Sequence, residues 1–309
     1  MNFRRRRFSA APALFGRQEI LPSPSSPFYA IANSLADWGG KVNGENSLFF
    51  HDIQKKYNHC ALTFFAYGAI MAKRARKGER HVRRMIVIAG HYGSGKTELA
   101  VSLAMELARR KQREFPRLAI VDLDVANPYF RSRERMELLE KNGVSVYGDA
   151  FHSTGSAAEL PALTAALRAP LEDGGCQTIV DLGGNDAGAR VLRQFAKYFQ
   201  GQDHELWVVV NFRRYETLTL ETSREHVESI WRELDMPVTG LVNNTHLLRE
   251  TTPAIIREGY EKASALSAQM GIPLLFTCYP AGIVSPEEIR DIPSLRPLGL
   301  YMRPAYLDK

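Results

Sequence analysis

The sequence predicts an α/β fold with a doubly wound, mostly parallel sheet of about seven strands. Three observations predict it. From Met85 onward, short apolar runs alternate with amphipathic stretches of helical period. The first run leads straight into a glycine-rich turn, Gly90-His91-Tyr92-Gly93-Ser94-Gly95-Lys96-Thr97, which opens the first helix. The run at residues 206–210 is apolar throughout, as a strand covered on both faces must be.

Taken in order, the runs at residues 85–89, 118–123, 144–147, 178–182, 206–210, 238–242 and 273–277 read as strands. Between them, residues 97–110, 132–141, 187–199, 220–234 and 253–270 read as helices. The helix after the glycine turn carries Leu99, Leu103 and Leu107 at four-residue spacing, which lines one face. Strands separated by helices of this length need crossover connections, and crossovers place helices over both faces of a parallel sheet.

Residues 1–84 read differently. They hold 15 Lys and Arg against 5 Asp and Glu, a net of +10, whereas residues 85–309 hold 25 against 29, a net of −4. The basic pI of 9.2 therefore belongs to the N-terminal quarter, which removes the charge argument for nucleic-acid binding by the body of the chain. Arg4 to Arg7 precede a Pro- and Ser-rich stretch that favours disorder. The apolar segment after those arginines is only 9–16, too short to favour export. The expected organisation is a basic extension, 1–84, of little structural consequence, and a single domain, 85–309, that starts at Met85.

The turn satisfies G-x-x-x-x-G-K-[ST] at every fixed position, between an apolar strand and an amphipathic helix. Glycines let the backbone curl so that N–H groups point at phosphate oxygens, and the helix N-terminus adds its positive dipole end. Gly90, Gly93, Ser94 and Gly95 are thus expected to cradle phosphates, Lys96 to reach the β- and γ-phosphates, and Thr97 to ligate Mg²⁺. The expected ligand is a nucleoside triphosphate with magnesium.

Two later strands end in carboxylates, at the sheet edge where an open α/β fold binds ligands. "IVDLDVANPYF" presents Asp122 and Asp124, and "IVDLGGND" presents Asp181, Gly183 and Gly184. Asp181 fits a carboxylate that holds Mg²⁺ through water, Asp124 is a further candidate ligand for the metal, and Gly184 is placed to sense the γ-phosphate through its N–H. Asp122 and Asp124, two apart, share a face if the strand continues through both.

The glycine loop, the D-x-D-x-x-N-P element (Asp122, Asp124, Asn127, Pro128) and the D-x-G-G element (Asp181 to Gly184) together resemble the MinD/ParA/CobQ class of P-loop ATPases. The resemblance spans about residues 85–280. It implies that Asp124 positions or activates the attacking water, that Asn127 belongs to the first switch, and that the protein hydrolyses ATP as a switch for a protein partner. Many members carry a lysine at the second loop position that reaches across a homodimer; here that position is His91. The loop is also similar to that of the UreG/HypB metallochaperone GTPases. Those read guanine with N-K-x-D, whereas the corresponding stretch here is Asn243-Asn244-Thr245-His246. His246 cannot supply the bidentate carboxylate, so guanine loses its support while Asn243 or Asn244 can still bond adenine.

The remaining residues add little chemistry. Cys60, Cys176 and Cys278 form no C-x-x-C pair, which fits a reducing, cytoplasmic setting. The 8 histidines form no H-x-H or H-E-x-x-H pattern, which argues against a transition-metal site. Arg131, Arg133 and Arg135 read as a solvated helix face, and Arg213 and Arg214 as residues near the base or a partner. No run approaches the roughly 20 apolar residues of a membrane helix. A GTPase accessory factor for metalloenzyme maturation, and a small-molecule kinase or amidation enzyme, remain the alternatives to an ATP-driven switch.

Overall fold

The computed structural model describes residues 84–123, 135–148, 167–183, 195, 198–199 and 204–302. Within them, eight strands form one sheet: β1 (Met85–Gly90), β2 (Arg117–Leu123), β3 (Ser145–Gly148), β4 (Cys176–Leu182), β5 (His204–Val210), β6 (Gly240–Asn243), β7 (Leu274–Pro280) and β8 (Leu295–Leu298). Their spatial order is β3-β2-β4-β1-β5-β6-β7-β8, and every neighbouring pair is parallel. The main helices are α1 (Lys96–Ala108), α2 (Met136–Lys141), α3 (Leu220–Leu234) and α4 (Pro253–Met270). No described helix is long and apolar enough to cross a membrane.

The alternation of side chains along β1 divides the core in two. Ile86 and Ile88 join Ile120, Ile179 and Val209 against Leu99, Leu103 and Leu107 of α1. Met85, Val87 and Ala89 point the other way and join Val121, Val180 and Val208 against Val227 and Ile230 of α3 and Leu266 of α4. Because successive strand residues face opposite sides, a strand covered twice must be apolar at both parities. That is the doubly wound architecture read from the sequence.

Local signals set the helix ends. Thr219 caps α3 by accepting the Thr222 N–H at 3.2 Å, and Asp235 closes the helix in the left-handed region (φ 51°). Thr252, then Pro253 at the first helical turn, open α4, and Gly271 (φ 65°) ends it. Both helices occupy their expected residues.

The eighth strand was not among the expected runs. Leu-Arg-Pro-Leu at 295–298 lies in the proline-rich tail, and proline argues against a central strand. Among the described residues β8 is a sheet edge that pairs with β7 alone, where Pro297, opposite Tyr279, need not donate to a second ladder. α2 is visible from Met136, six residues long; the expected start at Ser132, the expected helix 187–199 except for a few positions, and the extension 1–83 lie outside the described residues.

Candidate functional site

The turn after β1 folds as a phosphate cradle. Ser94 donates its N–H to the His91 carbonyl at 3.1 Å, and Gly93 and Gly95 hold φ of 73° and 88°, where side chains are strained. At Gly90 a Cβ would lie 2.6 Å from the Val209 carbonyl oxygen, and at Gly95 it would overlap the Asn244 amide nitrogen. Gly95 caps α1 without any side-chain bond, which leaves the first-turn N–H groups available to an anion. Lys96 and Thr97, the first residues of α1, are only 3% and 7% exposed. A lysine so deeply placed at a helix N-terminus meets an unfavourable dipole, which an anion in the cradle reverses.

The carboxylates lie under that helix. Asp122 on β2 and Asp181 on β4 are opposite one another in register, and Asp181 is also opposite Ile88 of β1. Asp122 follows Ile120 by two residues and Asp181 follows Ile179 by two, so both share the face that packs on α1. Both are buried. Thr97, at the head of α1, and Asp181, near the C-terminal end of β4, therefore belong to the same side of the sheet, and they offer a hydroxyl and a carboxylate oxygen, the donors a hydrated Mg²⁺ takes. Asp124, Asn127 and Gly184, expected as water-positioning, switch and γ-phosphate residues, lie outside the described residues, as do Arg131 and Arg133.

The asparagine pair after β6 is divided between two tasks. The Asn243 side-chain oxygen accepts from the Thr245 hydroxyl at 2.7 Å and the Thr245 N–H at 3.2 Å, and its nitrogen donates to Thr277 at 3.3 Å. Its amide is committed to bracing β6 against β7. Asn244 instead donates its side-chain N–H to the Ser94 carbonyl at 2.7 Å, tying β6 to the cradle, and its Oδ1 is buried with no hydrogen-bond partner. His246 accepts the Leu248 N–H at Nδ1, 3.3 Å, so the ring proton sits on Nε2, which is also buried without a partner. Burial, with Arg214 adding repulsion, lowers this imidazole to about 4 and keeps it neutral. Arg214 itself donates from Nε to the Gly93 carbonyl at 2.9 Å.

Two groups that no motif announced also converge here. His91 donates from Nδ1 to the Tyr92 carbonyl at 3.1 Å and lies 3.7 Å from Glu216. Its ring meets His226 of α3 edge to face, centroids 5.2 Å apart. Burial, then His91 and Lys96, lowers His226 to about 4. In sequence His226 is simply the residue before the buried Val227 of α3, and nothing in its local pattern marks it. On the other side of the loop, Glu98 of α1 accepts the N–H groups of Tyr301 and Met302 at 2.5 and 2.9 Å, and Ser102 accepts that of Gly299 at 3.1 Å. The segment after β8 is thereby clamped to the cradle's own helix.

The glycine cradle, the buried Lys96–Thr97 step and the parallel sheet make this a P-loop nucleotide-binding fold. No protein-family model and no curated protein sequence matches the chain. Among solved structures the similarity is low. The cell division protein FtsY from Thermotoga maritima is 17% identical over 68% of each chain, at a TM-score of 0.42. Chloroplast FtsY from Physcomitrella patens is 16% identical, over 85% of this chain and 87% of its own, at a TM-score of 0.44. The signal recognition particle 54 kDa protein from Aeropyrum pernix K1 is 18% identical, over 80% of this chain and 62% of its own, at a TM-score of 0.43.

Proposed function

We propose that the chain binds Mg·ATP and hydrolyses it slowly, as a switch for a protein partner. The observation that carries the reading is Lys96 and Thr97, buried at the head of α1, on the same side of the sheet as Asp181. Thr97 and Asp181 would hold the metal, which, when bound, neutralises charge on the phosphates. Lys96 would bind the β- and γ-phosphates, and the first-turn N–H groups would orient them. Asp124 would orient the attacking water, and Asn127 and Gly184 would relay the presence of the γ-phosphate to the partner.

The preference for adenine is supported by Asn244 and His246. Because the Asn244 nitrogen is held by the Ser94 carbonyl, its oxygen is the atom left to face a base, and that oxygen accepts. The neutral His246 offers the complementary donor at Nε2. One acceptor beside one donor matches the adenine edge, with its amino group and ring nitrogen. Guanine needs two acceptors at its N1–H and N2–H, and leaving them unmet costs on the order of 1–3 kcal/mol each. Competition binding of ATP and GTP to the full chain, with Mg²⁺, tests the reading; tighter GTP binding overturns the ATP assignment.

A further inference from the structure

The His91–His226 pair plays no part in the proposed chemistry, yet His226 lies close enough to Lys96 to feel its charge. His91 follows Gly90 directly, so its backbone is part of the cradle. His226 comes from the opposite side of the sheet: α3 packs on the Met85–Val87–Ala89 face, whereas Lys96 heads the helix on the other face. The two helices thus approach the loop from both sides and meet electrostatically across it, because His226 feels the charges of both His91 and Lys96.

The His226 Nε2 atom is buried and makes no hydrogen bond. A buried ring nitrogen with no partner costs on the order of 1–3 kcal/mol, a penalty that disappears once a ligand supplies the missing bond. The His91 ring does not supply it: its Nδ1 proton is given to the Tyr92 carbonyl, and its ring lies edge to face with His226. The groups around the pair are Lys96 of α1, Glu216 of the turn before α3, and the loop backbone. Kept neutral by burial, His226 can donate to a phosphate oxygen without setting a second cation beside Lys96.

Resting on the nucleotide reading above, we propose that His226 binds the terminal phosphate of a nucleoside triphosphate and, through its contact with His91, separates triphosphate from diphosphate. The ligand class is a nucleotide whose last phosphate extends past the lysine toward α3. A diphosphate ends short of His226 and leaves Nε2 unpartnered. Loss of the terminal phosphate then removes one bond between the cradle and α3, so the helix following β5 senses the state of the nucleotide.

The test is the affinity of the full chain for ATP analogues that resist hydrolysis and for ADP, by calorimetry, in wild type, His226→Leu and His226→Gln. Leucine fills the same space beside His91 without a donor, and glutamine keeps an N–H at similar reach. The expected result is a loss of about tenfold or more in triphosphate affinity for His226→Leu, an unchanged ADP affinity, and recovery of the triphosphate preference in His226→Gln. Equal losses for ATP analogue and ADP, or no loss for either, overturn the proposal while leaving the nucleotide reading standing. Failure of the wild-type chain to bind either nucleotide overturns both.

Discussion

The Glu98 carboxylate, in the first turn of α1, accepts the backbone N–H of Met302 at 2.9 Å, two hundred and four residues away along the chain. The adjoining N–H of Tyr301 goes to its other oxygen. One side chain of the phosphate-loop helix thus satisfies two consecutive donors of the C-terminal segment. Glu98→Ala leaves both without an acceptor. A loss of about 1–3 kcal/mol in unfolding free energy is expected, read from urea titration. A change below a few tenths would show that water replaces the carboxylate.

Burial raises the Glu98 carboxyl above the usual glutamate range. In the interval between the ordinary and the raised value, the folded protein holds a proton that the unfolded chain has released. Stability from this group is therefore complete below the ordinary value and is lost as pH rises through the raised one. Glu98→Gln does not titrate. The difference in unfolding free energy between the variant and wild type should shift in the variant's favour from about pH 4 to about pH 7. A parallel pair of curves would contradict the assignment.

Lys96→Ala removes the charge from the head of α1. Nucleotide affinity should fall by about 2–3 kcal/mol, roughly 30- to 150-fold, while the circular dichroism spectrum is kept. Near-normal affinity would remove the loop from the binding site.

Asp181→Asn keeps the volume of a buried side chain but loses its charge. The expected outcome is nucleotide binding that no longer strengthens on adding Mg²⁺, measured by titration with and without the metal. Retained metal dependence would move the metal site to another carboxylate.

Gly95→Ala places a methyl group against the Asn244 amide and a side chain at φ 88°. Destabilisation by about 2 kcal/mol and loss of nucleotide binding are expected. The steric part should vanish in an Asn244→Ala background and the backbone part should not, so a double-mutant cycle should show coupling of about 1 kcal/mol. Strict additivity would deny the contact.

The architecture was legible because a doubly covered parallel strand has to be apolar at both parities, and 206–210 is. α3 and α4 were legible to the residue because Thr219, Thr252, Pro253 and Gly271 carry cap chemistry that acts within a turn. β8 was not: Pro297 masks an edge strand, and its pairing with β7 is a long-range fact. In the site, Gly90 to Thr97 are contiguous, so their chemistry is written in one stretch. Asn243 and Asn244 look alike in sequence and differ only by which neighbour each reaches, Thr245 and Thr277 or Ser94. His226 carries no motif, since its meaning comes from a ring 135 positions earlier that the sheet brings to 5.2 Å.

β1 is an interior strand, with three strands on one side and four on the other among the described residues. The cradle therefore grows out of the part of the sheet that cannot fray from an edge, and the paired backbone amides of β1 should be among the last to exchange with deuterium. Nucleotide release and unfolding become separable events on different timescales: the ligand leaves a lattice that stays standing. A ligand present at a hundredfold its dissociation constant then protects the whole sheet by about 2.7 kcal/mol, and melting of this protein becomes a gauge of nucleotide concentration.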